Sequence, residues 1–378
     1  MTDQANRGSR QPVVALAVSG HGFGHAVRTA EVARALLARG TRVKVRTDAP
    51  RFLFPSGVEY LPSPGWPLDI GVAQQDGLDL DIDETRRRWS AFAQTFDAHA
   101  VAEARTLSEH GVDVLLGDIP PLAFAAAAQA GIPSLAVGNF AWDWIYGAWP
   151  DFEAPIATIQ HAYAQADGLL RLPLHSPDAD AFPSFRAIVD VPLIARCAQT
   201  PRAETRQALG LTPEATVVLL SFGGFTADGL DLAALGQWPD YVFVLTPPMT
   251  VTRTTHLPTN VRALDARPDD YLSLLAACDA VVTKPGYGTV ADCLANRVAV
   301  LFTDRGPFRE YDVLAKALMT LGRARYVPRA DVLAGHLGPH LDLLLASDTP
   351  WTDQPMDGAR VVANAALERA GILGRQKR

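Results

Sequence analysis

The sequence predicts an α/β protein of two Rossmann-like, doubly wound domains facing a central cleft, and three observations carry that reading. Short apolar runs alternate with helical runs, the pattern of parallel strands covered on both faces. The alternation runs through twice, pausing near Asp190-Val191-Pro192-Leu193-Ile194. The 378 residues are too many for one ordinary core and suit two of about equal size.

The elements follow in order. Residues 1–11 form a polar tail without the apolar stretch of a signal peptide. In the first domain, residues 12–192, Val13–Val18, Arg42–Thr47, Val112–Leu116, Ser134–Val137 and Leu169–Leu172 read as strands. The helical runs Val27–Arg39 and Ala91–Glu109 lie between them, closed by Gly40 and Gly111. In the second, residues 193–378, the strands are Thr216–Ser221, Tyr241–Leu245, Val261–Leu264, Ala280–Thr283 and Val298–Phe302. Tyr271–Ala277, Thr289–Ala295 and Tyr311–Leu321 are helical runs between and after the later strands. The last helical run, Gly358–Ala370, suits either domain and can pack back on the first.

Composition narrows the partners. The chain is 48% hydrophobic and 20% charged with a net charge of −7, which argues against nucleic acid or an anionic membrane as the main partner. The uncharged stretch Ile119–Trp142 is long enough to span a bilayer, but Pro120, Pro121, Gly131, Pro133 and Asn139 break it into turn, helix, turn and strand. No stable membrane insertion is expected. Cys197, Cys278 and Cys293 have no ligand spacing, so neither a disulfide framework nor structural zinc is expected, and a reducing cytoplasm is the default setting. The acidic stretch Asp76–Glu84 alternates with Leu and Ile, and reads as a loop or edge strand rather than a metal site.

The first chemistry-bearing loop is Ser19-Gly20-His21-Gly22-Phe23-Gly24-His25, directly after the strand Val13–Val18. It opens at the carboxyl end of a parallel strand, where such sheets place their ligands. Two imidazoles there suit proton transfer. His25, in the first helical turn, is placed to take a proton from a hydroxyl, and Asp118, after the strand Val112–Leu116, to accept a hydrogen bond from it. These two are the candidate catalytic pair, with the choice of His21 or His25 as base left open. Gly20-x-Gly22-x-Gly24 also resembles a dinucleotide fingerprint, with Asp48 at the second strand, but His25 stands where the third glycine belongs. His21, Phe23, Asn139, Trp142 and Asp143 are the candidate acceptor contacts.

The second domain offers three further loops. Ser221-Phe222-Gly223-Gly224 ends a strand in small residues, where backbone N–H groups can approach an anion. Lys284-Pro285-Gly286-Tyr287-Gly288-Thr289 is a strand–glycine-turn–helix unit, and a helix N-terminus is a ready anion site. Asp292, a turn further on, can receive paired ribose hydroxyls. Thr303–Tyr311, with Arg309 and Glu310, is a polar loop suited to reading sugar hydroxyls. Together they suggest a nucleotide-diphosphate-sugar site built from Ser221, Gly223, Gly224, Lys284, Gly286, Tyr287, Gly288, Thr289, Asp292, Arg309 and Glu310.

A family resemblance rests on these residues. Gly20–Arg28, Gly138-Asn139-Phe140-Ala141-Trp142-Asp143, Asp190–Leu193 and Lys284–Val290 resemble the glycosyltransferase-like N-terminal region of plant L-arabinokinases. More distantly, the architecture is similar to GT-B glycosyltransferases of the peptidoglycan GlcNAc-transferase and plant UDP-sugar transferase type. The resemblance implies a GT-B fold, with the donor nucleotide in the C-terminal domain and the acceptor in the N-terminal one. It implies His25 as base, Asp118 as its partner acid, Asp292 as the ribose-binding acid and Glu310 as a sugar contact. Sugar kinase activity is not implied, because the chain ends at Arg378 without a kinase region. Nor is small-molecule decoration, because the long Trp/His/Gln signature of plant natural-product transferases is missing.

The expected activity is thus an inverting, metal-independent and cofactor-free glycosyl transfer. A nucleotide-sugar, with uridine the first guess, serves as substrate, and the acceptor hydroxyl is unidentified. A nucleotide-sugar epimerase or hydrolase, a catalytically silent nucleotide-sugar-binding module, and a nicotinamide-dependent dehydrogenase are the competing readings.

Overall fold

The computed structural model describes residues 10–74, 79–222, 229–246, 257–264 and 270–371. By contacts the chain divides into two compact units. One comprises the chain up to Gly71, Ile82–Ile194 and the chain from Pro355 onward; the other comprises Val72–Asp81 and Ala195–Gln354.

The strands of the first half are β1 Val13–Val18, β2 Arg42–Arg46, β3 Glu59–Tyr60, β4 Ala73–Gln74, β5 Leu80–Asp81, β6 Val114–Asp118, β7 Ser134–Gly138, β8 Gly168–Arg171 and β9 Ile188–Asp190. Those of the second are β10 Thr216–Leu220, β11 Tyr241–Leu245, β12 Val261–Ala263, β13 Ala280–Thr283, β14 Ala299–Phe302 and β15 Ala324–Tyr326. The first unit carries the sheet β3-β2-β1-β6-β7-β8-β9, and the second carries β12-β11-β10-β13-β14-β15. Every pairing in both is parallel. Each is the Rossmann order, which reverses direction at its first strand. Each unit therefore has one switch point, β1/β6 in the first and β10/β13 in the second.

Burial explains why these runs form central strands. All six residues of β1 are buried, as are all four of β13 and of β14, so both faces of each strand are covered. The edges follow a different rule. In β9 all three residues are exposed although Ile188 and Val189 are apolar, and β15 holds no buried residue. The antiparallel pair β4/β5 belongs to the second unit and is tied there by the fork of Arg329 on Asp79, 2.6 Å for each bond.

Two helices depart from the sequence reading. The first begins at Gly22 rather than Val27 and runs to Leu37, so most of the glycine-rich loop is already helical. The expected Ala91–Glu109 run is two helices, Ile82–Ala93 and Phe96–Glu109, broken at Gln94-Thr95. The last helix, Gly358–Arg369, packs on Gly22–Leu37 within the first unit. Gly358 is needed at that junction, because a Cβ there would lie 2.1 Å from the Pro192 carbonyl oxygen.

One glycine sets the end of β6. A Cβ on Gly117 would come within 2.4 Å of the Phe124 ring, which covers the strand beside Asp118. Gly117→Ala should destabilise the protein by about 1–3 kcal/mol through this overpacking. A thermal melt of the variant checks it; an unchanged midpoint would mean that Phe124 yields freely.

Candidate active site

The site of the first unit is built at its switch point. Parallel pairing places Val18, the last residue of β1, opposite Asp118, the last of β6. Ser19, Gly20 and His21 then lead into the helix, which Gly22 starts at φ +69°, a conformation that side chains resist. His25 sits in the first turn and points its Nδ1 at Asp118 Oδ1, 2.8 Å away. Arg28 Nη2 also lies 3.1 Å from this nitrogen, but an ionised carboxylate only accepts, so in the neutral ring that bonds Asp118 the hydrogen sits on Nδ1 and Nε2 is the unprotonated nitrogen.

Asp118 holds more than the histidine. Arg28, one turn along the same helix, donates from Nε to Oδ2 at 2.7 Å and from Nη2 to Oδ1. Thr29 donates its hydroxyl to Oδ2 at 2.8 Å, and Arg28 Nη1 reaches Asn139 Oδ1 at 2.7 Å. Burial by itself would push the Asp118 carboxyl up. The Arg28 and His25 charges, with their hydrogen bonds, outweigh it and hold the group well below the usual carboxylate range.

The turn after Asp118 is strained. Ile119 has φ +58°, an outlier for a β-branched residue, and it precedes Pro120, which disfavours that conformation further. Such strain costs of order 1–3 kcal/mol and collects at functional sites. Tyr163 secures the turn: its hydroxyl donates to the Ile119 carbonyl at 2.8 Å and accepts from the Trp142 backbone N–H at 3.3 Å.

A second buried acid lies close by. Asp69 Oδ2 accepts from Trp142 Nε1 at 3.0 Å. Burial pushes its carboxyl up to about 6, against the hydrogen bond from Ser19 and the pull of His25. The Trp142 ring meets His21 edge-on at 5.4 Å and His25 at a tilt at 6.2 Å.

In the second unit the corresponding switch point lies between the ends of β10 and β13, with Ser221 following the first and the glycine turn following the second. Ser221 pairs its hydroxyl with that of Tyr271 at 2.9 Å. Gly286 is the extended N-cap of the helix Tyr287–Asn296, whose first turn holds Gly288 and Thr289 and which no side chain caps among the described residues. Lys284 and Tyr287 are buried beside it. Asp292 is 2% exposed, and both its oxygens accept from Arg196: the backbone N–H at 3.0 Å to Oδ1, Nε at 3.1 Å and Nη2 to Oδ2. Glu310 is buried against Arg305 Nη1 at 3.3 Å, and Arg305 lies over the Phe308 ring at 4.1 Å. Arg309 is half-buried at the N-cap of the helix Glu310–Leu321. No group of three or more His, Cys, Asp or Glu residues is arranged to hold a metal among the described residues.

No family model matches the chain. It is 32% identical over 375 residues to L-arabinokinase of Arabidopsis thaliana, an alignment that covers 96% of this chain and 35% of that protein. The chain thus spans about a third of the length of that relative. Among solved structures, UGT89C1 of Arabidopsis thaliana complexed with quercetin superposes at a TM-score of 0.61 with 17% identity, over 97% of this chain and 99% of that one. The glycosyltransferase VinC in complex with DTDP does so at 0.57 with 18% identity, over 96% of each chain. The calicheamicin glycosyltransferase CalG4 gives 0.61 with 16% identity, over 98% and 100%. The chain has the GT-B fold.

Within this GT-B chain the structure sorts the expected site residues. His25 and Asp118 are brought together. His21 and Phe23 stay partly exposed in the first turn, Phe23 against Phe52. Asn139, Trp142 and Asp143, expected as acceptor contacts, are 1%, 0% and 4% exposed; Trp142 lies against both histidines, and Asn139 accepts from Arg28. Asp143 accepts from Ser184 and from the Trp144 backbone, and burial pushes it up to about 6. Asp292, expected to receive ribose hydroxyls, is committed to Arg196, and Glu310, expected to meet a sugar, to Arg305. Gly223 and Gly224 lie outside the described residues.

Thr29, Asp69, Tyr163 and Arg196 escaped the sequence reading. Asp69 lies in the Pro- and Gly-rich segment Pro62–Gly71, which has no period to follow. Nothing local in sequence marks a tyrosine on a helix as the clamp of two distant turns.

Asp118→Asn should cost about 3–5 kcal/mol at pH 7, because it leaves Arg28 buried without its counter-charge. The native carboxyl titrates below its ordinary value of 3.8, so its contribution is complete above that value and is lost as pH falls through the lower folded one. Urea unfolding at pH 7, 5 and 3 should show the full gap between wild type and variant at pH 7 and 5, beginning to narrow only at pH 3.

Proposed function

We propose that the chain is an inverting, metal-independent glycosyltransferase that moves a sugar from a nucleoside-diphosphate donor to an acceptor hydroxyl. The observation that carries this is the His25 Nδ1–Asp118 contact, which leaves Nε2 as a base at the switch point of the sheet. The fold supports it, since the solved neighbours include chains complexed with UDP, UDP-L-rhamnose and DTDP.

In this reading Nε2 of His25 takes the acceptor proton, and the oxygen attacks the anomeric carbon. As that bond forms, the bond from the anomeric carbon to the diphosphate oxygen breaks, and its electron pair leaves with the nucleoside diphosphate. One displacement inverts the anomeric centre. Asp118 orients the ring and faces the imidazolium charge, so it acts as a positioning residue. The first-turn N–H groups of the helix Tyr287–Asn296 and the Lys284 ammonium meet the charge that develops on the diphosphate. The sugar, the base of the nucleotide and the acceptor belong to the experiment.

One observation favours a second reading, a silent nucleotide-sugar-binding module. Arg28 already neutralises Asp118, so a proton taken by His25 leaves the buried cluster with a net charge of +1. A chain that binds donor without turnover would fit that arrangement.

His25→Ala should lower turnover by about 10²–10⁴ while donor affinity stays within twofold. Loss of donor affinity in the same variant would sink the role given to His25. Thermal melts with UDP, TDP, GDP and ADP, with and without EDTA, test the donor itself. A true nucleotide at about 100 times its Kd adds roughly 2.7 kcal/mol, unchanged by EDTA. No shift with any of the four would remove the transferase reading's main support.

A further inference from the structure

We infer that Asp69 is a positioning acid for the His25 site, fastening both the loop that carries the histidines and the indole wall on which they rest. The inference builds on the reading of His25 as the base, but its first test stands apart from turnover.

Three fastenings converge on the segment Asp69–Gly71. Asp69 Oδ2 accepts from Trp142 Nε1 at 3.0 Å, and Trp142 is the ring that both His21 and His25 touch. Ser19 donates its hydroxyl to Asp69 while accepting the His21 backbone N–H at 3.2 Å, so the carboxylate also holds the start of the histidine loop. Two residues on, Gly71 lies so close beneath His21 that a Cβ there would sit 2.7 Å from the His21 Cβ. Tyr146 donates its hydroxyl to the Gly71 carbonyl and stacks on Trp142 at 5.7 Å. The acid and the segment thus grip the loop from two sides.

The choice of a carboxylate here is unusual. Asp118 next door is buried against an arginine, whereas the partners of Asp69 are a hydroxyl and an indole. Burying a charge on neutral partners is costly, so a purely structural acceptor would be better served by an amide. An ionisable one makes the geometry depend on pH. The groups facing Asp69 are His25 from the first helix, Asp48 from the end of β2, and Tyr146 and Tyr163 from their helices. Asp48 is itself bonded to Arg46 at 3.3 Å. With burial, these place the carboxyl at about 6. Above that value Asp69 accepts from both Ser19 and Trp142. Below it, one oxygen becomes a donor, and the Ser19–Asp69 hydrogen bond that ties down His21 must reverse its direction or break.

The test uses the full chain labelled with ¹⁵N-tryptophan, which carries seven indoles. One indole N–H resonance should move between pH 5 and 7 with a midpoint near 6, and the same resonance should stay fixed in Asp69→Asn. In Ser19→Ala it should still move, with its midpoint raised by loss of the hydrogen bond to the ionised form. The inference is overturned if no indole titrates in that range, or if the titrating one still moves in Asp69→Asn. Nucleoside-diphosphate release from whichever nucleotide-sugar the chain turns over supplies the second readout. Below about 6 the wild-type kcat should fall more steeply than protonation of the His25 base alone allows, and Asp69→Asn should remove that excess slope while leaving the His25 limb, with donor KM unchanged. Equal losses at every pH, or a rise in KM alone, would reduce Asp69 to an ordinary structural contact. If no UDP-, TDP-, GDP- or ADP-sugar is turned over at all, the proposed function fails, and the indole titration still decides the role of Asp69.

Discussion

The buried carboxylate of Asp118 is the constraint on which the first unit's site depends. It accepts from His25, from two nitrogens of Arg28 and from Thr29, three residues of one helix, and it ends the strand that pairs with β1. A charge removed from water must be met by opposite charge and hydrogen bonds in a fixed geometry, or it raises the energy of the folded state. Meeting that demand sets the rotation of the helix about its axis and its distance from β6. The His25 ring is oriented by the same bonds. The strained Ile119 and the Tyr163 clamp are then what it takes to end a strand on this residue and turn the chain away at once.

The two units use one topology and treat their charges differently. At the β1/β6 switch point an imidazole, a carboxylate and a guanidinium form a closed, buried group. In the second unit the acids after β13 and β14 are each matched to an arginine, Asp292 to Arg196 and Glu310 to Arg305, while the helix Tyr287–Asn296 starts without a side-chain cap among the described residues. An anion gains from the second arrangement because a helix N-terminus presents its first-turn N–H groups and the positive end of its dipole. A hydroxyl gains from the first because a neutral imidazole accepts its proton. The difference is what a donor and an acceptor require of their respective hosts, and it joins the likeness in fold to the chemistry proposed.

Much of this was legible in the residues. Central strands such as β1, β13 and β14 are buried on both faces and so read as unbroken apolar runs, placing the loops after them correctly. The pairing of His25 with Asp118 follows from two strand ends on one sheet edge. The start of the first helix was misplaced because glycines normally argue for a loop, whereas Gly22 here supplies the positive φ that begins the helix. Edge strand β15 and the break at Gln94-Thr95 left no pattern, since an edge is not required to be apolar, and the Ile188-Val189 pair of β9 is too short a run to stand out.

Local periodicity and turn chemistry by themselves determined the two βαβ series, the loops at their carboxyl ends and the residue types able to move a proton, because those properties depend on neighbours within a few positions. Only the tertiary structure decided which charges are already spent. Arg28 turned inward onto Asp118, Arg196 took both oxygens of Asp292, and Asp69 came out of an irregular segment to hold Trp142, 73 positions away. Each is a contact between residues far apart in the chain. Whether a carboxylate is free for substrate or consumed by a partner depends on burial and distance, and neither quantity is local in sequence.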